Sequence, residues 1–256
     1  MTTKGSLILK QAPLYLFTIL LAVGLKYHYS TATSDGLAWI LGPTAGVVEL
    51  LTGIEFQPEE HTGFVNWPHR MIIAKACAGV NFLIVALCLA IFSRLHRVRT
   101  WRGKIGVVCQ GLFMAYLLTV AVNALRITAA LLLHKLHISW GWLTPQRLHR
   151  LTGTAIFFIC LCLFYLLLQH LSPKNKSRPS LLVPLCFYLS VTLLIPLLNA
   201  LFHKNSPHLL EHTTSLLIIP TLIILLFSLP NLLKKKDRDS AKSTGENLEG
   251  KPIFMI

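Results

Sequence analysis

Long apolar stretches recur along almost the whole chain, and they constrain its fold more than any other feature. A helix needs about 20 predominantly apolar residues to cross a bilayer. The candidate spans are Ala12–Leu25, Met71–Phe92, Ile105–Leu133, Leu151–Leu168, Leu181–Leu201 and Leu216–Leu229. Because such stretches continue to residue 229, the pattern excludes a secreted protein with one signal peptide. The sequence therefore predicts an all-α integral membrane protein.

Composition and charge agree with this prediction. Charged residues make up 13% of the 256 residues, about half the share in soluble domains. The net charge of +14 would suit nucleic-acid binding, but the basic residues form short runs between apolar stretches, which is typical of membrane proteins. The expected partner is thus the lipid bilayer and not nucleic acid. One membrane domain is predicted over residues 1–233, followed by a polar, disordered cytoplasmic tail over residues 234–256.

Four basic segments predict the orientation, because cytoplasmic loops carry an excess of Lys and Arg. These segments flank or separate the spans, at residues 4–10, 94–104, 174–178 and 234–238. About six transmembrane helices with both termini inside place all four in the cytoplasm. A seventh crossing by Gly36–Leu51, which Pro43 interrupts, would move the N-terminus outside. We therefore expect Gly36–Leu51 to be interfacial or re-entrant.

The outer face then holds residues 26–70, 134–150 and 202–215. Within it, Gly53–Arg70 contains Pro58, Gly63 and Pro68, which favour a loop or hairpin over a helix. Ionisable groups at the ends of spans are energetically costly, so each of them is a candidate functional residue.

Arg126 is the clearest such residue, since no acidic residue lies near it in sequence. Its span runs outward from Lys104, and 22 residues of helix are roughly 33 Å long, which puts Arg126 near the outer boundary of the hydrocarbon. Asn123 precedes it on the same helical face. The alternative is an arginine that merely extends to the outer headgroups.

Cys77 is also predicted near the outer boundary, six residues past Arg70. The early turns of a helix favour a nucleophilic thiolate, and Lys75 adds positive potential. Gly79 would let a substrate backbone approach closely. The alternative is a packing role, which we expect for most of the other cysteines: Cys88, Cys109, Cys160, Cys162 and Cys186.

His149 stands at the outer mouth of the next span, although it could be an ordinary interfacial histidine. His134 and His137 lack the second half of a metal site, so we predict neither a metal nor a cofactor. A thiol, a guanidinium and an imidazole from three successive spans at one depth are the groups that thiol acyl transfer needs. The cysteine attacks a carbonyl, the histidine moves the proton and the arginine stabilises the oxyanion.

At these residues the chain resembles the exosortase/archaeosortase family of membrane cysteine transpeptidases. The matching stretches are Ala76–Gly79, Asn123–Ile127 and His149–Gly153, within a core of about residues 36–170. They correspond in order to the family's Cys-x-Gly, Asn-x-x-Arg and His-x-x-x-Gly motifs. Within the family, the short outer segment before the cysteine is most similar to exosortase K.

The resemblance implies a thiol protease and transpeptidase of the bacterial inner membrane, with its active site on the extracytoplasmic face. Its substrates would be exported proteins with a C-terminal sorting tail, which has a Pro-Glu-Pro-like motif, a span and a basic cluster. The implied roles are nucleophile for Cys77, oxyanion or carboxylate contact for Arg126 and acid/base for His149.

A transporter with an anion-binding Arg126 is the main alternative. Against it, the sequence has no evident inverted repeat, and the polar residues gather at one face and not at the midplane. A different intramembrane protease is disfavoured because no Gly-x-Ser-x-Gly or metal-binding motif occurs.

Overall fold

The computed structural model describes residues 12–98, 100–135, 145–171, 181–194 and 220–225. The helices are α1 (Ala12–Thr31), α2 (Ala38–Thr52), α3 (Val80–Leu95), α4 (Trp101–Lys135), α5 (Pro145–His170) and α6 (Leu182–Leu189). Single 3-10 turns occupy Asp35–Leu37 and Lys75–Cys77, a π-helical turn (Ser190–Leu194) continues α6, and residues 220–225 are helical. The prediction of a mostly helical protein is confirmed.

Three helical stretches in the described residues are long and apolar enough to cross a membrane: Lys75–Leu95, Trp101–Leu133 and Arg150–His170. They coincide with the second, third and fourth predicted spans. The first predicted span lies within α1, and parts of the last two lie in residues 182–194 and 220–225. The rest of those two spans and the tail 234–256 fall outside the described residues. The number of crossings stays a prediction.

A small antiparallel sheet interrupts the helices, with strands β1 (Gln57–Glu59), β2 (Gly63–Asn66) and β3 (Met71–Ile73) in that spatial order. The first two strands form the predicted hairpin. The third corrects the prediction that a span begins at Met71, because Phe64 pairs with Ile73 instead. A short apolar run fits a strand and a helix start equally well in sequence, and only the pairing with β2 distinguishes them.

The segment predicted to be interfacial or re-entrant forms α2, and Pro43 lies inside it. A proline has no N–H, so the carbonyl of Trp39, four residues earlier, loses its helical donor. The hydroxyl of Tyr116 on α4 donates to that carbonyl at 2.8 Å, and the Tyr116 and Trp39 rings stack with centroids 6.0 Å apart. The carbonyl that Pro43 leaves without a helical donor therefore attaches α2 to α4.

Helix α3 is the centre of the bundle, since nearly all its side chains are buried. Cys88 on α3 and Cys162 on α5 belong to this core, as predicted, whereas Cys109 and Cys186 are exposed. Phe82 stacks on Phe157 with centroids 4.8 Å apart and joins α3 to α5.

Hydrogen bonds at one end of the bundle fix the relative direction of these helices. Arg94, at the end of α3, donates to Gln110, near the start of α4, at 2.8 Å. Arg97 donates to Gln169, at the end of α5, at 2.9 Å. The start of α3, the last third of α4 and the start of α5 consequently share the opposite end of the bundle.

Candidate active site

Cys77 lies in a tight turn between the sheet and the central helix. Strand β3 ends at Ile73, Cys77 closes the 3-10 turn by donating its N–H to the Ala74 carbonyl at 2.7 Å, and α3 begins at Val80. The cysteine is half-buried. It thus stands just before the N-terminus of α3, and not within the early turns of a helix as its sequence suggested.

Gly79 connects this turn to α3 in a left-handed conformation, with φ of 67°. A Cβ at this position would lie 3.2 Å from Cγ of Asn123. The sequence interpretation that Gly79 leaves room for a substrate backbone is therefore corrected, because the Asn123 carboxamide occupies that space. Glycine is needed here both for the φ angle and for the close approach.

Asn123 holds the turn in place from α4. Its side chain is fully buried, and its Nδ2 donates to the backbone carbonyl of Cys77. The Asn123 Oδ1 is also buried and has no hydrogen-bond partner among the described residues. The sequence placed Asn123 only on the helical face of Arg126, since its contact with Cys77 joins residues 46 positions apart.

Arg126 follows three residues later on the same face of α4 and packs against α5. A Cβ at Gly153 would lie 3.2 Å from Cδ of Arg126, and the guanidinium carbon lies 5.0 Å from the Phe157 ring centroid. The Nε atom is buried and has no hydrogen-bond partner within the described part of the chain. The side chain therefore packs between helices, with a buried N–H that no described residue accepts.

The bond from Asn123 attaches the Cys77 turn to the helix that carries Arg126, so the thiol and the guanidinium lie at the same end of the bundle. The only ion pair between described residues joins His61 and Asp35, on the outer segment. Arg126 thus has no carboxylate counter-ion among the described residues.

His149 belongs by its backbone to the second turn of α5, which starts at Pro145 and is already helical where a loop was expected. It precedes Gly153 by four residues, so the two backbone positions share one helical face. Gly153 faces Arg126, and His149 is one turn closer to the start of α5. The side chain of His149 falls outside what the structure describes, as do His134 and His137.

The arrangement brings a half-buried thiol and a guanidinium with a free N–H to one end of the bundle, with the backbone of His149 on the facing helix. Such a pair suits attack on a carbonyl, since the guanidinium can stabilise the negative charge that develops on oxygen. No group of three His, Cys, Asp or Glu side chains among the described residues could hold a metal ion.

Comparison with known proteins agrees with the motifs. A family model described as transmembrane exosortase matches residues 1–166, more than half of the chain, and this range includes Cys77, Arg126 and His149. The family predicted from the sequence is confirmed. No curated protein and no solved structure matches the chain significantly.

Proposed function

Because this chain belongs to the transmembrane exosortase family, we propose that it is a cysteine peptidase and transpeptidase of the bacterial inner membrane. Its substrate is an exported protein with a C-terminal tail that carries a Pro-Glu-Pro-like motif, a membrane span and a basic cluster. Cleavage near the motif releases the tail, and the protein is passed to a surface acceptor or to water. The active site faces the extracytoplasmic side.

The observation that carries this proposal is the pairing of Cys77 with Arg126. Asn123 bonds to the carbonyl of Cys77, Arg126 follows it by three residues on the same face of α4, and the buried Nε of Arg126 has no acceptor among the described residues. An unsatisfied buried donor costs free energy. The oxyanion that forms on the substrate carbonyl when the Cys77 sulfur attacks it would accept a hydrogen bond from this donor. A guanidinium that only anchored the protein to headgroups would extend into them, whereas that of Arg126 lies over the Phe157 ring with its stem against Gly153.

The proposed reaction has two halves. The Cys77 thiolate attacks the scissile carbonyl carbon, the carbonyl electron pair moves to oxygen, and Arg126 donates hydrogen bonds to that oxyanion. The intermediate collapses to a thioester as the C–N bond breaks, and His149 protonates the leaving amine. An acceptor nucleophile, or water, then attacks the thioester carbonyl, gives its proton to His149 and releases Cys77.

Asn123 supports this chemistry without touching the substrate. Its hydrogen bond to the Cys77 carbonyl fixes the turn that carries the sulfur, and Arg126 is attached to the same helix three residues later. One rigid helix therefore positions both the nucleophile's backbone and the oxyanion donor. Positioning of this kind matters because displacements of about 1 Å can cost on the order of a hundred-fold in rate.

A transporter remains the alternative from another class, and family membership favours the enzyme. The two differ in one respect that is easy to measure, because a transporter forms no covalent intermediate with Cys77.

The test uses an exported reporter protein that carries such a tail, coexpressed with the full-length chain. We expect Cys77→Ala to abolish removal of the tail at unchanged membrane abundance, and wild type to form a Cys77-linked reporter fragment detectable by mass spectrometry. Cys88→Ala is the matched control, since Cys88 is a buried core residue of α3, and it should keep most activity. Processing by the Cys77→Ala variant would overturn the thiol mechanism.

A further inference from the structure

Tyr29 lies near the end of α1, far from the catalytic motifs in sequence, and its ring is flanked by two ammonium groups. Nζ of Lys26 lies 5.4 Å from the ring centroid, and Nζ of Lys75 lies 5.5 Å from it. Cations at this distance are attracted to the face of an aromatic ring. The ring position is therefore fixed from two elements, α1 and the turn that contains Cys77.

The same two lysines fasten the end of α1 to the residues around Cys77. Lys26 donates to Oδ1 of Asn81 at 2.8 Å, four residues after the cysteine. Lys75, two residues before it, donates to the backbone carbonyls of Ser30 at 3.0 Å and Ala32 at 2.7 Å. The chain on both sides of Cys77 is thus attached to the helical turn that carries Tyr29.

Tyr29 lies beside the turn of Cys77, because Lys75 of that turn contacts its ring, and Asn123 ties the same turn to the helix of Arg126. Burial raises the pKa of the Tyr29 hydroxyl, the charge of Cys77 raises it further, and Arg126 acts in the opposite direction. Because the net change is upward, the phenol keeps its proton at neutral pH and is a hydrogen-bond donor. A phenol in this state is suited to stabilise an anion and not to act as a general base.

We infer that Tyr29 is a further catalytic residue of the proposed reaction, whose hydroxyl donates a hydrogen bond to the oxyanion beside Arg126. When the Cys77 sulfur bonds to the carbonyl carbon, the electron pair moves to oxygen, and Tyr29 and Arg126 both donate to it. The hydroxyl keeps its proton throughout, so the step stays balanced when the oxyanion collapses and the C–N bond breaks. This inference rests on the proposed function.

Tyr29→Phe tests the hydroxyl alone, because phenylalanine retains the ring and its two cation contacts. The matched control is Tyr27→Phe, since Tyr27 lies on the same helix and is 70% exposed. With the tailed reporter as probe, we expect Tyr29→Phe to lower kcat about a hundred-fold, as removal of one oxyanion donor does, with KM within roughly two-fold. Tyr27→Phe should process the reporter like wild type.

A second measurement distinguishes an oxyanion donor from a packing residue. Iodoacetamide alkylates a thiolate without forming an oxyanion, so the alkylation rate of Cys77, followed by mass spectrometry of its peptide, should be unchanged in Tyr29→Phe. Slower alkylation together with slower processing would mean that Tyr29 acts through the thiol and would overturn the assignment. Normal processing by Tyr29→Phe would also overturn it, provided that Cys77→Ala is inactive. Activity of Cys77→Ala would overturn the proposed function itself.

Discussion

Gly153 on α5 faces the stem of Arg126 on α4 so closely that a Cβ at residue 153 would lie 3.2 Å from the Arg126 Cδ. The absence of a side chain at Gly153 therefore leaves room for the stem of Arg126. Gly153 lies one helical turn beyond His149. The glycine lets α4 and α5 approach at the depth where the chemistry is proposed.

Gly153→Ala should consequently displace the guanidinium. A methyl group 3.2 Å from Cδ forces the flexible arginine side chain to shift by a few tenths of an ångström. We expect reporter processing to fall on the order of ten-fold, because catalysis is sensitive to such displacements, while the protein still accumulates in the membrane. The matched control is Gly106→Ala on α4, where no atom lies within 4 Å of the new Cβ. Equal activities of the two alanine variants would show that the contact between Gly153 and Arg126 does not position the guanidinium.

Removing the amide of Asn123 should loosen the turn that carries Cys77. Asn123→Ala leaves the part-buried Cys77 carbonyl without its donor, and an unpaired group costs at most about 1–3 kcal/mol when it is fully buried. We expect a lower midpoint of thermal unfolding in detergent and slower processing. Thr119→Val, one turn earlier on α4, is the control, because the Thr119 hydroxyl bonds only within its own helix, to Ala115 at 2.6 Å. A variant as stable and active as wild type would show that the hydrogen bond has no role.

Arg126→Lys distinguishes catalysis from membrane anchoring. An ammonium reaches the headgroups as well as a guanidinium does, but it lacks the planar set of donors. We expect the lysine variant to insert normally and to process the reporter at least about a hundred-fold more slowly. Arg102→Lys, at the exposed start of α4, should be silent. Near-normal turnover by Arg126→Lys would remove the arginine from the proposed site.

Topology is the fourth prediction. Reporter fusions should report residues 94–104, 169–180 and the C-terminus inside, and residues 53–70 and 134–150 outside, because the basic segments are retained in the cytoplasm. A cytoplasmic location for residues 134–150 would separate His149 from any exported substrate, and the mechanism would then be wrong.

Hydropathy predicts α1, α3, α4, α5 and the hairpin, because the patterns it depends on are local. The start of α3 was mispredicted because Met71–Ile73 is apolar in a strand and in a helix alike, and its pairing partner lies in β2. Pro43 interrupts the apolar stretch Gly36–Leu51, and the sequence does not show which group replaces its missing N–H. The carbonyl of Trp39, which Pro43 leaves without a helical donor, receives a hydrogen bond from the hydroxyl of Tyr116, a residue distant in sequence.

For the candidate site, too, the sequence predicts the residues themselves but not their contacts. Motif spacing identified Cys77, Arg126 and His149, but the partners of those residues depend on helix packing. The side chain of Asn123 donates to the carbonyl of Cys77, and the absence of a side chain at Gly79 leaves room for the Asn123 carboxamide. Tyr29 had no pattern that could reveal it, since an aromatic residue after a predicted span is typical of any membrane interface.

The length of α4 has a consequence for the setting in which the protein works. Its 35 residues make a rod about 52 Å long, whereas the hydrocarbon core of a bilayer is about 30 Å thick. Such a helix must tilt or project, and the angle depends on the thickness of the surrounding lipid. Because Asn123 on this rod also holds the carbonyl of Cys77, a change of tilt would carry the Cys77 turn and the guanidinium together, so acyl-chain length in the host membrane would alter the depth of the site and not the distance between the two groups.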